Sequence, residues 1–437
     1  MLFLRELKKV VFSISFFVLI AGTIAMVASQ GVLDMSGQEK LEMPQPGQDY
    51  GTQAKEIPEV IMPAAIQVLY GEFCTNSYTA YPIGFYKNVR LSYDKRQQMA
   101  EIISALTGTP ADELMQAAGE STQDGNSYTF DDSEIDVQGN GGYTITTQDS
   151  MSSDDETGFS IALTDDISYE EFLSYMKKAD KLIGGGSFYS DTYLANSFGQ
   201  TAITYEEAVD SYNLIKDSDH FTGAYARLFC DYMLIVLSVL PVFIAVALCL
   251  KDKQTSMNGL IYSRTASSAR IILTRYLAII TAVMVPAVIL FYISSASIWG
   301  MYNGMKLDYL IPLKYCFGWI LPSVMVSTAV GMLLTELTNT PAAIAVQGLW
   351  WFIDINLGVS SIQGGYPLLR LAPRHNSLQG TRIFLDNFNR LAANRLMFAG
   401  FAILLMLAAV VIYEQKRRGR LNGYGKIKKL FSGMANR

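Results

Sequence analysis

Apolar residues in this chain are bunched into long runs. Six stand out, at residues 10–29, 232–250, 276–298, 315–334, 342–359 and 396–413. Each approaches the roughly 20 residues a helix needs to cross a hydrocarbon core. Small residues close the first run (Ala25, Ala28, Ser29), as in a cleaved signal, but the run exceeds the roughly 7–15 residues of such a core, so a retained helix is expected. Pro286 and Pro322 interrupt two runs, which spanning helices tolerate where neighbours satisfy the freed carbonyl. Gln347 and Asp354 weaken the fifth run. Asp354 is expected to face a bundle interior, a seam between copies or outer water, because facing lipid is costly. Trp350 and Trp351 read as a packing or interfacial pair.

Residues 30–226 follow a different pattern. A Gly-, Pro- and Gln-rich stretch, 30–59, reads as a linker or irregular lead-in. Residues 94–107 place Met99, Ile102, Ile103 and Leu106 on one helical face. Ser168 with Glu171, and Thr204 with Glu207, have capping-box spacing, so helices are predicted to begin there. Gly184-Gly185-Gly186 ends the first of these. Short strands are predicted at 127–130, 143–147 and 159–163, with a turn at Gly139-Asn140-Gly141-Gly142. The fold class expected is a mainly α membrane protein, with six transmembrane helices and a large extracellular α+β domain between the first and second.

Charge sharpens this division. The net charge is −6, yet residues 30–226 hold 32 Asp and Glu against 10 Lys and Arg, a net −22, and the remainder carries +16. Lys251, Lys253, Arg264, Arg270 and Arg275 flank the loop after the second run, and the 416–437 tail is basic. Positive loops stay inside, so both termini and the 251–270 loop are expected to be cytoplasmic and 30–226 extracellular. The loop at 360–394 breaks the rule, with Arg370, Arg374, Arg382, Arg390 and Arg395 on the outer side. An amphipathic helix on the outer leaflet, using Ile383, Phe384, Phe388 and Leu391, would reconcile these charges. The expected layout is 1–29, 30–226, 227–415 and 416–437.

Candidate chemistry is sparse. Four cysteines are too few for a disulfide framework and read as buried or lipid-facing thiols. His220 and His375 have no metal-ligand spacing around them. The acidic residues Asp131, Asp132, Glu134, Asp136, Asp154, Asp155 and Glu156 match no EF-hand loop and read as solvated. No phosphate loop, nucleophile elbow or catalytic Cys/His pair is present, so the chain is not expected to be an enzyme, and no metal or cofactor is expected. The runs carry ionisable groups only near their ends (Asp231, Lys314, Asp354), which disfavours ion coupling.

The segment Asp252-Lys253-Gln254-Thr255-Ser256-Met257-Asn258-Gly259-Leu260-Ile261-Tyr262-Ser263, followed by Ile271-Ile272-Leu273-Thr274-Arg275-Tyr276-Leu277-Ala278, resembles the signature of ABC-2 type transporter permeases. Asp252 stands at the family's acidic position, Arg275 at its basic position, and Asn394-Arg395 leads into the sixth run. The resemblance covers 227–416. It implies a permease subunit of an ATP-driven exporter in a bacterial plasma membrane, paired with an identical or related permease. A separate ATPase would bind the ATP and dock on the 251–270 loop through Asp252, Thr255, Asn258, Leu260, Tyr262, Ser263 and Arg264. Membrane lipid is a further expected partner and nucleic acid is not. The loop also reads as an ordinary basic segment on anionic lipid. A different class of function, a membrane sensor or scaffold whose acidic domain binds a ligand without transport, stays open.

Overall fold

The computed structural model describes residues 2–37, 40–82, 84–120, 161–164, 166–254, 266–357, 366, 368–374 and 378–420. The chain divides into two compact units. One comprises Met1–Met43, Ser211–Ile355 and Tyr366–Arg437; the other comprises Pro44–Asp210 with Asn356–Gly365. The segments 30–43 and 211–226, read from sequence as part of the extracellular domain, thus group with the helices.

The chain starts with α1 (Leu2–Val11), which buries Glu6 and Val10 and exposes Leu4. It meets α2 (Ile14–Ser29) at 62°. Ser13 makes the break: its hydroxyl accepts from the Phe16 N–H at 3.2 Å and donates to the Val10 carbonyl at 2.6 Å. The first apolar run is therefore a bent pair and not one straight span. A hydroxyl that caps the next helix outcompetes continuation of the previous one.

The second unit is built on α3 (Pro58–Thr75), α4 (Tyr93–Thr107), α5 (Ala111–Glu120) and α6 (Tyr169–Ile183). Met99, Ile102, Ile103 and Leu106 are all buried, as their spacing predicts, against Ile61, Leu69 and Phe73 of α3 and Phe172 of α6. Arg96 ties two helix ends together, donating to the carbonyls of Phe73 and Cys74 at 3.2 Å and of Ala118 at 3.3 Å. A cation at helix C-termini is favoured by the macrodipole. The capping box at Thr204 forms, Thr204 and Glu207 exchanging bonds at 3.3 and 3.1 Å, and at Ser168 the N-cap bond forms, Glu171 N–H reaching Ser168 Oγ at 3.3 Å. α6 stops at Gly184, whose φ of 116° suits glycine. Short helix α7 (Leu194–Phe198) and the first part of α8 (Tyr205–Leu214), to Asp210, complete the unit.

Strand is scarce. β1 (Thr52–Ala54) pairs with β4 (Gln200–Ala202), and β2 (Tyr78–Ala80) with β3 (Lys87–Val89), both antiparallel. Of the predicted strands, 127–130 and 143–147 lie outside the described residues, as do the acidic positions 131–136 and 154–156; residues 161–163 form none. Among the described residues this unit is mainly helical.

The larger unit contains α9 (Thr222–Leu237) and α10 (Pro241–Gln254), joined by a three-residue turn, then α11 (Ser268–Met301). α12 (Ile311–Tyr315) runs through a wide turn, Cys316–Ile320, into α13 (Leu321–Thr338). α14 (Ala342–Asn356), α15 (Thr381–Asp386) and α16 (Phe388–Arg417) follow. Among the described residues, four helical stretches are long and apolar enough to cross a membrane: Thr222–Lys251, Ser268–Met301, Ile311–Thr338 and Phe388–Arg417. The bent α1–α2 pair makes a fifth if counted as one. These mark a multi-pass membrane protein. The predicted span at 342–359 forms instead a 15-residue helix, about 22 Å long at 1.5 Å per residue and shorter than a hydrocarbon core of about 30 Å. Gly331 lets α13 approach α10: a β-carbon there would lie 2.7 Å from Ala245 Cβ. Small residues at such crossings are how helices pack in lipid. All four cysteines are buried and unpaired with one another.

Candidate functional site

The 251–270 segment is flanked by two described ends. Asp252 lies in the last turn of α10, which closes at Gln254. The chain returns at Ala266, and Ser267 caps α11 by accepting from the Arg270 N–H at 3.3 Å. Thr255, Asn258, Leu260, Tyr262, Ser263 and Arg264 lie outside the described residues.

Three polar clamps gather around these ends. Arg275, about two turns into α11, sits with Nε 3.5 Å from Glu6 of α1, both nearly fully buried; Lys9 donates to the same carboxylate at 2.8 Å. Ser268 donates to Glu414 near the end of α16, and Arg417 donates to the Ala266 carbonyl at 2.7 Å. Lys416 reaches Glu336 at 3.2 Å and Asn339 Oδ1 at 2.8 Å, both at the end of α13. The start of α11 is thereby held by α1 and α16, and α16 by α13. Breaking one side of a buried pair strands the other charge, a loss of about 3–5 kcal/mol. The clamps form a collar around the start of α11, where the chain re-enters the described residues.

Sequence reasoning singled out Asp252 and Arg275 but missed Glu6, Ser268, Glu336, Glu414, Lys416 and Arg417. A signal existed. Glu6 stands alone among the basic residues of LRELKK, and Glu336 and Glu414 are lone acids at the ends of apolar runs. An acid that sits where only bases are needed for orientation has a partner to find.

The other end of the unit explains three of the arginines that broke the charge rule, Arg370, Arg374 and Arg395, whereas Arg382 and Arg390 are exposed. Arg395 is buried and donates to the carbonyls of Trp319 (3.1 Å), Arg370 (3.0 Å) and Leu371 (3.3 Å), to Ser323 Oγ (2.8 Å) and to Asn394 Oδ1. Asp354 is turned into the bundle interior, its carboxylate accepting from the N–H groups of Leu371 (2.8 Å) and Ala372 (3.0 Å). Arg370 donates back to the Asp354 carbonyl, and Arg374 to that of Ile355. The irregular 368–374 backbone would otherwise carry buried unpaired groups; these side chains satisfy them. Trp351 donates to the Ile235 carbonyl at 2.7 Å, and Trp350 stacks on Phe398. The expected amphipathic helix on the outer leaflet is corrected: Phe384 and Leu391 are buried, with Phe384 stacked on Trp319 at 5.9 Å, and a break at Asn387 divides α15 from α16.

Nearby, Arg227 makes two 2.7 Å bonds to the Asp219 carboxylate and donates to Thr381 at 2.9 Å, all buried. Gly223 is required beside it, since a β-carbon would come within 2.6 Å of Asp219 Oδ1. No group of three His, Cys, Asp or Glu able to hold a metal occurs among the described residues. What these networks do is mechanical: they fix helix ends relative to one another. Comparison with protein-family models, curated proteins and solved structures gives no match to the chain.

Proposed function

We propose that this chain is the membrane-spanning permease subunit of an ATP-driven transporter, most simply an exporter, energised by a separate ATPase that docks on the 251–270 segment. The observation that carries the reading is the collar: the start of α11, where that segment ends, is clamped to α1 and α16 by Glu6–Arg275, Ser268–Glu414 and Arg417–Ala266, and α16 is tied to α13 by Lys416–Glu336. A push on the segment would be delivered to several helices together instead of being absorbed by a loose loop. The sequence has no phosphate loop of its own, which fits a borrowed ATPase.

In this reading the chain lies in a bacterial plasma membrane, with both termini and the collar cytoplasmic and residues 30–226 outside. The six expected spans count α2 and α14 beside the four long helices. α1, amphipathic and basic at its end, lies along the inner interface. A second permease, identical or related, supplies the other wall of the path. Asp252, Thr255, Asn258, Leu260, Tyr262, Ser263 and Arg264 make the ATPase contact.

The test is co-purification in mild detergent, wild type against a Tyr262→Ala/Arg264→Ala variant. An ATPase that copurifies with the wild type and is lost from the variant supports the reading. A folded wild type that carries no ATPase rejects it in favour of a sensor or scaffold.

A further inference from the structure

α11 connects the collar to a second junction at its far end. It is continuous over 34 residues, Ser268–Met301, about 50 Å at 1.5 Å per residue. Pro286 removes one internal bond, but the helix is unbroken there, and Phe291 stacks on Phe229 of α9 at 4.0 Å. At the far end α11 holds the strand of chain that leads from α2 toward Pro44. Ser294 donates to the Val32 carbonyl, Ser297 accepts from the Met35 N–H at 3.1 Å, and the Tyr302 hydroxyl accepts from the Leu41 N–H at 2.8 Å. Val32 and Met35 are fully buried, so this strand is strapped down and not a free linker.

The same Tyr302, the C-cap of α11, also holds the strand that returns. Its hydroxyl lies 3.0 Å from that of Tyr225, and its ring stacks on Phe221 at 4.4 Å and 13°. Phe221 sits at φ 58° and its neighbour His220 at φ 50°. A bulky side chain in that region is a genuine outlier. Such strain persists only where surroundings enforce it, and it gathers at switch points.

We propose that Tyr302 is a transmission joint: α11 carries displacement of the collar to both chain crossings, incoming at Leu41 and outgoing at Phe221, that lead into and out of the Pro44–Asp210 unit. Both connecting segments would thereby be coupled to the collar through one helix. What drives the 251–270 segment rests on the permease reading; the joint itself does not.

The experiment is hydrogen exchange on the full chain in detergent, with no ATPase present. Tyr302→Phe removes the hydroxyl bonds and keeps the stack, and is expected to raise exchange at the Leu41 amide about fivefold, the equivalent of one ordinary hydrogen bond. Glu414→Ala releases Ser268 and is expected to raise exchange at the Ile271 amide near the start of α11. In the otherwise wild-type chain it also raises exchange at Leu41 and Phe221. In Tyr302→Ala it raises Ile271 with no added effect at the other two. The proposal is overturned if Glu414→Ala leaves Ile271 unchanged, if it moves Ile271 but neither far amide, or if it moves the far amides equally in both backgrounds. A failure to find an ATPase with the exchange coupling intact would reject the permease reading and leave the joint standing.

Discussion

Replacing Arg395 by Met removes the guanidinium and keeps an apolar stem. The side chain holds the carbonyls of Trp319, Arg370 and Leu371 together with Ser323 Oγ. Its loss leaves three buried carbonyls short of a donor. Each such group costs roughly 1–3 kcal/mol. Ser323 still donates to Leu371 and Asn394 to Arg370, so two of the three keep one partner. A loss of about 3–5 kcal/mol is expected, of the order seen when a buried charge network is cut. At a few degrees per kcal/mol for a unit of this size, the unfolding midpoint should fall by roughly 10 °C. The assay is thermal unfolding in detergent followed by tryptophan fluorescence, since Trp319 donates to the Pro373 carbonyl within the same network. Arg395→Lys should recover only part of the loss, because an ammonium cannot span the carbonyls that the planar fork reaches. Arg390→Met, at an exposed site on the same helix, should change little. Equal, small shifts for Arg395→Met and Arg390→Met would refute the assignment of these arginines as backbone clamps.

Other consequences are as direct. Burial pushes the Glu72 carboxyl up from about 4.5 to about 7, although Tyr189 and the Thr79 N–H donate to it. A raised folded value means stability that is complete below the unfolded value and lost as pH rises through about 7, at most about 3 kcal/mol. The unfolding midpoint of the wild type should therefore fall between pH 5 and 8 more steeply than that of Glu72→Gln; parallel profiles would contradict this. Gly331→Ala sets its β-carbon against Ala245 and should destabilise by about 1–3 kcal/mol; Ala245→Gly in the same chain should restore part of that, and simple additivity would exclude the contact. Arg96→Ala removes the side-chain donor that joins the last carbonyls of α3 and α5, so the second unit should become protease-sensitive at temperatures where Arg90→Ala is resistant.

The features legible in the sequence were the local ones. The N-caps at Ser168 and Thr204 formed because three-residue spacing decides them, and the buried stripe of α4 followed from its period. Long apolar runs located four spanning helices. The break at Ser13 was a local signal hidden within an apolar run, where hydropathy outweighs one hydroxyl. The arginines of the 360–394 loop misled because burial of a guanidinium against carbonyls is a tertiary fact. Arg395 and Arg390 look alike in sequence, and only packing separates them. The collar was legible only at Arg275, whereas Glu6 lies 269 positions from its partner and no pattern links them.

The central claim is that the 251–270 segment receives an ATPase. A photo-crosslinking residue placed singly at Leu260, Tyr262 or Lys306 in the full chain, irradiated in native membranes, tests it most directly. One ATPase polypeptide should be trapped from positions 260 and 262, and none from 306 in the loop at the opposite end of α11. Trapping of lipid alone at 260 and 262, or of the ATPase equally from all three positions, would contradict it.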